Sequence, residues 1–335
     1  MVGSASASLK VKQILNTNQP LNISGSVSTN NLDVNSIIKN NLLRHTTAKA
    51  GFDAKFGRTL TVPDIILDSL VIDRLSLNGY EYSGIKADGF YNSEAFEGMV
   101  ISSDPNMNFF VNAAQSKQDS LTNYSLTADI ARADLYAMNI DDRGTSEVSL
   151  TATAEFSVSE GKHMNGYAEI QDLILENDDA IYNIGDISLT SDQKKKDYKM
   201  NLTSAFAEVA YTGTASLKNF INDFQGLTLK KELPAIFKDT SYTWNGDTYK
   251  VNLLCHDMMD VLAFAVPGLY VESGTALSTE IGEEGNFIAE LNSGRLAYKK
   301  QYLKGLNAIF DNKNDNLNGA VTSEEIQVSS IKFYD

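Results

Sequence analysis

Residues 148–158 alternate without a slip. Val148, Leu150, Ala152, Ala154, Phe156 and Val158 fall at every second position, with Ser149, Thr151, Thr153, Glu155 and Ser157 between them. Successive side chains of a strand point to opposite faces, so this segment has one apolar and one polar face. At roughly 3.3 Å per residue it spans about 36 Å, well beyond the usual strand of about 5 or 6 residues. The same spacing returns at Phe109, Val111 and Ala113, at Leu126, Ala128 and Ile130, at Ile187 and Leu189, and at Met200 and Leu202. The pattern predicts a mainly β fold: an elongated, curved antiparallel sheet, a half-pipe with a hydrophobic groove, capped or interrupted by a few short helices.

The pattern divides the chain into three stretches. Residues 1–60 are rich in Asn, Ser and Thr, with a strand expected over Leu21 to Val27 and a short helix or turn over Asn35 to Leu43. Residues 61–217 read as a repetitive meander of long strands, broken at Asn78-Gly79, Glu97-Gly98, Asp141-Asp-Arg-Gly144 and Asp192-Gln-Lys-Lys-Lys196. Inside it Leu75, Leu77 and Tyr82 return as Leu173, Leu175 and Tyr182, which reads either as a repeat or as the sameness of alternating strands. Residues 218–335 are β interrupted by helical spacing. Leu217, Phe220, Ile221 and Phe224 share one face, Leu233, Ile236 and Phe237 another, and Met258, Val261, Leu262 and Ala265 a third before Pro267-Gly268. The apolar faces of these helices are expected to close one end of the sheet.

Composition narrows the function classes. The chain has 335 residues with 43 acidic and 28 basic side chains, a formal charge of −15, which opposes phosphate backbones and anionic membrane surfaces. No nucleic-acid partner is expected. Cys255, the single cysteine, lies in the apolar run Val251 to Cys255 and reads as a buried, inert thiol. The start Met1-Val-Gly-Ser-Ala-Ser-Ala-Ser has no signal-peptide pattern and resembles a linker or fragment end. The longest apolar run, Val261 to Val271, is broken by Pro267-Gly268 and is shorter than the roughly 20 residues of a membrane helix.

Catalytic chemistry finds little footing. His45, His163 and His256 are scattered singly, and no nucleophile elbow, Walker loop, zinc-protease or paired-cysteine motif occurs. Asp257 beside His256 reads as a helix start. Asp311 to Gly319 imitates a calcium loop, but Lys313 takes a ligand position, Asn316 replaces the required glycine and Thr322 stands where the bidentate glutamate belongs, so a solvated turn is expected. Lys194-Lys195-Lys196 reads as a protective turn between strands. Neither enzyme activity, nor a metal, nor a cofactor is expected. The 15 Tyr and 15 Phe would ordinarily be cross-strand packing pairs. If the strands form one curved sheet with no second layer, the apolar face instead lines a groove that holds something greasy. The lining residues expected are Leu126, Ala128, Ile130, Val148, Leu150, Ala152, Ala154, Phe156, Ile187, Leu189, Met200 and Leu202, with the alanines leaving space for an acyl chain.

Several segments resemble one family. Ala265-Val-Pro-Gly-Leu-Tyr-Val-Glu-Ser-Gly-Thr-Ala-Leu-Ser-Thr279, Phe287-Ile-Ala-Glu-Leu-Asn-Ser-Gly-Arg-Leu-Ala-Tyr298 and Tyr302-Leu-Lys-Gly-Leu306 resemble the TamB proteins of the AsmA-like superfamily, particularly the Bacteroidetes type. Leu75 to Tyr80, Ala128 to Tyr136 and Tyr167 to Leu173 are similar to that family's repeated strand signature. The resemblance covers roughly Leu60 to Val328 and carries no catalytic residue. It implies a U-shaped "β-taco" sheet and a periplasmic bridge that moves phospholipid between inner and outer membrane. Partners implied are phospholipid acyl chains and a TamA-type outer-membrane barrel. The chain lacks the family's amino-terminal membrane anchor and is far shorter than a periplasm-spanning member, so an internal or carboxyl-terminal fragment of an inner-membrane-anchored parent is expected. Two further readings stand beside this one: a chaperone-like factor whose edge strands pair with outer-membrane client strands, and an adhesin or glycan-binding solenoid.

Overall fold

The computed structural model describes residues 3–14, 18–39, 42–57, 60–142, 144–159, 163–230, 242–313, 316–328 and 331–334. The described residues are mainly β and antiparallel, the sheet is open, and the helices are few and short, as the alternation predicts. The chain separates into two compact units, residues 1–160 with 170–181, and residues 161–169 with 182–335.

The first unit is an antiparallel meander of β1 (Ser4–Lys12), β2 (Leu21–Asp33), β3 (Leu43–Phe56), β4 (Asp64–Leu77), β5 (Tyr80–Tyr82), β6 (Ile85–Tyr91), β7 (Ala95–Asp104), β8 (Met107–Gln118), β9 (Leu121–Asp134) and β10 (Ser146–Ser159). Each strand pairs with the next, except that β5 is a three-residue spur on β4 and β6 pairs with β4 directly. The expected strand over 148–158 is β10, which extends two residues earlier and one later. At Asn78-Gly79 both residues have positive φ, 52° and 81°, so a two-residue turn of matching twist joins β4 to β5. The helix expected from Asn35 shortens to one turn, α1 (Asn35–Ile38), ended by Lys39 in the left-handed conformation.

β11 (Met164–Asn177) is divided between the units. The second unit holds β12 (Ile181–Lys194), β13 (Asp197–Ser204), β14 (Ala207–Gly213), α2 (Leu217–Gln225) running on into a π-helical turn (Gly226–Lys230), and β15 (Tyr249–Cys255). α3 (Met259–Ala265), β16 (Leu269–Val271), β17 (Ala276–Ile281), β18 (Phe287–Tyr298), β19 (Gln301–Asp311), β20 (Asn318–Thr322), β21 (Glu325–Val328) and β22 (Ile331–Tyr334) follow. The helix expected around 230–237 lies, beyond Lys230, outside the described residues. In β12 the buried positions step from Tyr182 and Ile184 to Ser191 and Gln193, a change of phase. Gly185, with a φ of 78°, sits between the two sets.

The two units differ in how that face is covered. In the second, Tyr211, Ala215, Leu227, Tyr249, Ile281 and Phe287 form a buried cluster beneath Leu217, Phe220 and Phe224 of α2 and the loop residues Tyr242 and Trp244. Phe220 meets Tyr249 edge-on at 5.6 Å and Phe224 meets Phe287 at 5.9 Å. α3 stands at the opposite end of these strands, with Leu262 buried and Phe264 against Tyr182 at 5.8 Å. The helices therefore close two ends of this unit's face, where one closed end was expected. In the first unit the buried apolar side chains among the described residues are only Ala54, Tyr82, Ala128 and Met138.

Candidate functional site

The apolar face of the first unit follows from strand register. Residues directly opposite in an antiparallel pair project to the same side. Ala7, Val27, Ala50, Leu70, Ala87, Val100, Val111, Ala128 and Ala152 are successive partners, one from each of nine strands. A parallel row runs Leu9, Gly25, Phe52, Leu67, Gly89, Gly98, Ala113, Leu126 and Ala154. Eight interstrand gaps at about 4.8 Å make each row roughly 38 Å long. A bulge on β4 at Asp68 and Ser69 preserves the rows where the simple alternation slips.

No described residue covers this face. Leu126 is 38% and Leu9 51% exposed, although small Ala128 between larger neighbours falls to 7%. Tyr91, Phe96 and Tyr124 border the rows and are also exposed. A depression of about 380 Å³ sits where Gly89 and Gly98 lie opposite one another, walled by Ile65, Leu67, Tyr91, Phe96 and Val100 and floored by Ala113. The ring of Phe96 lies over Gly98, at the distance where a Cβ would touch it. The opposite face is mixed: its row runs Ser6, Ser28, Lys49, Val71, Lys86, Ile101, Phe110, Asp129 and Thr151, and exposed Ile101 and Ile66 face Phe110 and Phe90.

The second unit repeats the arrangement. Leu189, Leu202, Val209, Leu253, Leu277, Leu291, Ala308 and Val321 are successive partners across eight strands, between the ends that α2 and α3 cover.

The expected lining residues accordingly fall into two sets. Ile130 pairs with Leu150, Ala128 with Ala152 and Leu126 with Ala154, while Val148 faces Ala133 and Phe156 faces Tyr124. In the second unit Leu189 pairs with Leu202, Met200 with Ser191 and Ile187 with Ser204. Val100, Val111, Leu253 and Leu277, which carry the rows onward, were not among the expected lining residues, although the alternation at Val111 was read from sequence. Their signal is the alternation itself, but joining them needs register.

Ionisable groups near the ends of the strands are structural. Asp104 is 1% exposed and accepts from the Tyr80 hydroxyl at 2.6 Å, the Ser83 amide and hydroxyl at 2.8 and 3.1 Å, and the Asn106 amide at 2.9 Å. Burial pushes its pKa up, but these donors outweigh burial and hold it below the ordinary carboxylate range. Burial and that same carboxylate push Tyr80 up to about 12. In the second unit buried Asp223 accepts from Tyr249 at 2.5 Å and Tyr242 at 3.1 Å, and burial first, then Asp223, raises both phenols. Cys255 is buried and burial pushes its thiol up. Asp257 lies just before α3, whose N-cap is Met258, and accepts from the Met259 amide at 3.1 Å. His256 pairs with Glu208 at 3.1 Å. Asp311 accepts from the Lys313 amide and the Asn318 side chain, a turn network; residues 314 and 315 of that loop lie outside the described residues. Among the described residues no cluster of His, Cys, Asp and Glu could hold a metal, and no helix is long and apolar enough to cross a membrane.

No protein-family model, curated protein or solved structure matches this chain.

Proposed function

We propose that this chain is a module of a bridge-like lipid transporter, which holds phospholipid acyl chains against the apolar face of its sheet between inner and outer membranes. The observation that carries the reading is the pair of rows across nine strands of the first unit: continuous, apolar, free of charge and open to solvent. A soluble monomer rarely exposes more than a few hundred Å² of contiguous apolar surface, so a face of this extent calls for an apolar occupant. Exposing about 30 methylenes of a two-chain lipid to water costs roughly 24 kcal/mol at about 0.8 kcal/mol each, which slows escape to about 10⁻⁵ per second. Rows at a uniform spacing lower that barrier by letting a chain slide without leaving apolar contact, and no catalytic group is required. The sequence resemblance to TamB proteins supports the same reading and supplies its location, the periplasm, and a TamA-type barrel as partner.

The experiment is cross-linking with phospholipid that carries a photoactivatable group at the acyl terminus. Adducts are expected on Val111, Leu126, Ala152 and Leu277 and absent from Lys49, Asp129 and Thr151. Adducts spread evenly over both faces would contradict the proposal.

A further inference from the structure

The face of the second unit that turns away from Leu202, Val209, Leu253 and Leu277 carries two rows of its own. Thr203, Glu208, Leu254, Ala276 and Asn292 are successive register partners, and Asn201, Ala210, Asn252, Ser278 and Glu290 run beside them. Ala210, Ala276 and Ser278 are short where their neighbours are long, and a depression of about 310 Å³ opens over them. That volume is at the lower end of the range of about 300–1,000 Å³ for small-molecule sites. Among the described residues no lysine or arginine lines it. Asn252 accepts from the Ser278 hydroxyl through Oδ1 at 3.0 Å, and Asn292 accepts from the Asn307 amide through Oδ1 at 2.5 Å. Each therefore directs its NH2 group away from the neighbour that occupies its oxygen. Among the described residues neither NH2 group, nor the Asn201 amide, nor the half-buried Glu290 carboxylate has a partner. Glu208, by contrast, is engaged by His256. Leu254, 36% exposed, gives the depression an apolar wall.

We propose that this depression binds a neutral saccharide. A sugar hydroxyl both donates and accepts, so it calls for a donor and an acceptor side by side. The free NH2 groups of Asn252 and Asn292 supply donors, and the Glu290 carboxylate, which only accepts, supplies the acceptor between them. Glu290 lies two strands from Asn252, about 10 Å, and two residues from Asn292, about 7 Å, distances that one sugar ring and its hydroxyls bridge. The C–H face of the same ring packs on Leu254. Other ligand classes fit less well. An anion meets Glu208 and Glu290 with no lining cation to balance them. An ammonium group satisfies Glu290 but leaves the amides of Asn201, Asn252 and Asn292 unmatched, and unmatched polar groups cost binding. Among the described residues no cluster of His, Cys, Asp and Glu could hold a metal here. The depression lies on the face opposite the apolar rows, so this inference does not depend on what those rows carry.

Isothermal titration of the full chain tests it, with cellotetraose, maltotetraose and the N-acetylglucosamine tetramer as neutral probes, the glucosamine tetramer as a cation and tetragalacturonate as an anion. At least one neutral probe should bind saturably, and both charged probes more weakly. For that neutral probe Glu290→Gln and Asn252→Ala should each weaken binding about tenfold, the loss of one well-placed hydrogen bond. Glu280→Gln lies on the same face outside the depression, where Glu280 is held by Lys250 at 3.8 Å, and should leave binding unchanged. Circular-dichroism melts check that each variant is folded; should Glu290→Gln unfold, Asn201→Ala on the exposed rim carries the same expectation. Copurified lipid should be unchanged in all of these variants, so failure here and failure of the lipid reading are separate results. No binding of any neutral probe at millimolar concentration, tighter binding of the cationic probe, or equal losses in Glu280→Gln and Glu290→Gln overturns the proposal.

Discussion

Gly89 and Gly98 face each other across β6 and β7, yet their backbones make opposite demands. Gly89 has a φ of 157°, and a Cβ there would lie 2.3 Å from the Glu97 carbonyl oxygen; at Gly98 the nearest atoms, at 3.2 Å, belong to the movable ring of Phe96. Gly89→Ala is therefore expected to destabilise the protein by about 1–3 kcal/mol, and Gly98→Ala by at most about 0.5 kcal/mol, in urea denaturation. Gly98→Leu should fill the depression and lower lipid load while leaving the melting temperature nearly unchanged. None of this was legible in the sequence: Glu97-Gly98, expected as a turn, lies inside β7, and nothing local says that two glycines nine residues apart will meet. Asp104 was largely hidden: the Asn106 amide is a local turn donor, but the other three, from Tyr80 and Ser83, come from a segment that only the folded sheet brings near. Its depressed pKa means that its ionised form stabilises the fold above about pH 4, and that this contribution fades as pH falls through the folded-state value below the usual 3.9. Asp104→Ala should cost about 2–4 kcal/mol at pH 7, with the gap to wild type narrowing at pH 3.

At the scale of elements, the strands and their meander order were the most readable part and their register the least. Alternation alone located β10 and the stretches 109–113 and 126–130, because one face is solvated and the other apolar. It could not locate the phase change at Gly185 or the bulge on β4, where an extra residue preserves the apolar row. Helical spacing located α2 and α3 to within two residues of their starts, but not where they pack. α2 begins at Ser216, whose hydroxyl accepts from the Asn219 amide at 3.3 Å. Ser216→Ala is expected to cost about 1 kcal/mol, and Phe220→Ala about 3 kcal/mol through loss of the contacts with Tyr211 and Tyr249. Thermal melts read by near-ultraviolet circular dichroism should show both. An unchanged melt for Phe220→Ala would mean that α2 does not cover this end of the sheet.

For the whole molecule, the question is whether the exposed apolar rows of the sheet hold lipid. The most direct test of the central claim is the lipid content of the purified protein, measured by native mass spectrometry on wild type and on two double variants. Ala152→Asp with Ala154→Asp places two carboxylates in the apolar rows beside Ala128 and Leu126. Unpaired charge is costly against hydrocarbon, so copurified phospholipid should fall sharply with the fold retained. Thr151→Asp with Thr153→Asp, on the opposite face of the same strand, should leave lipid content near that of wild type. Equal lipid loss in both variants, or a wild type that carries no lipid at all, would contradict the account.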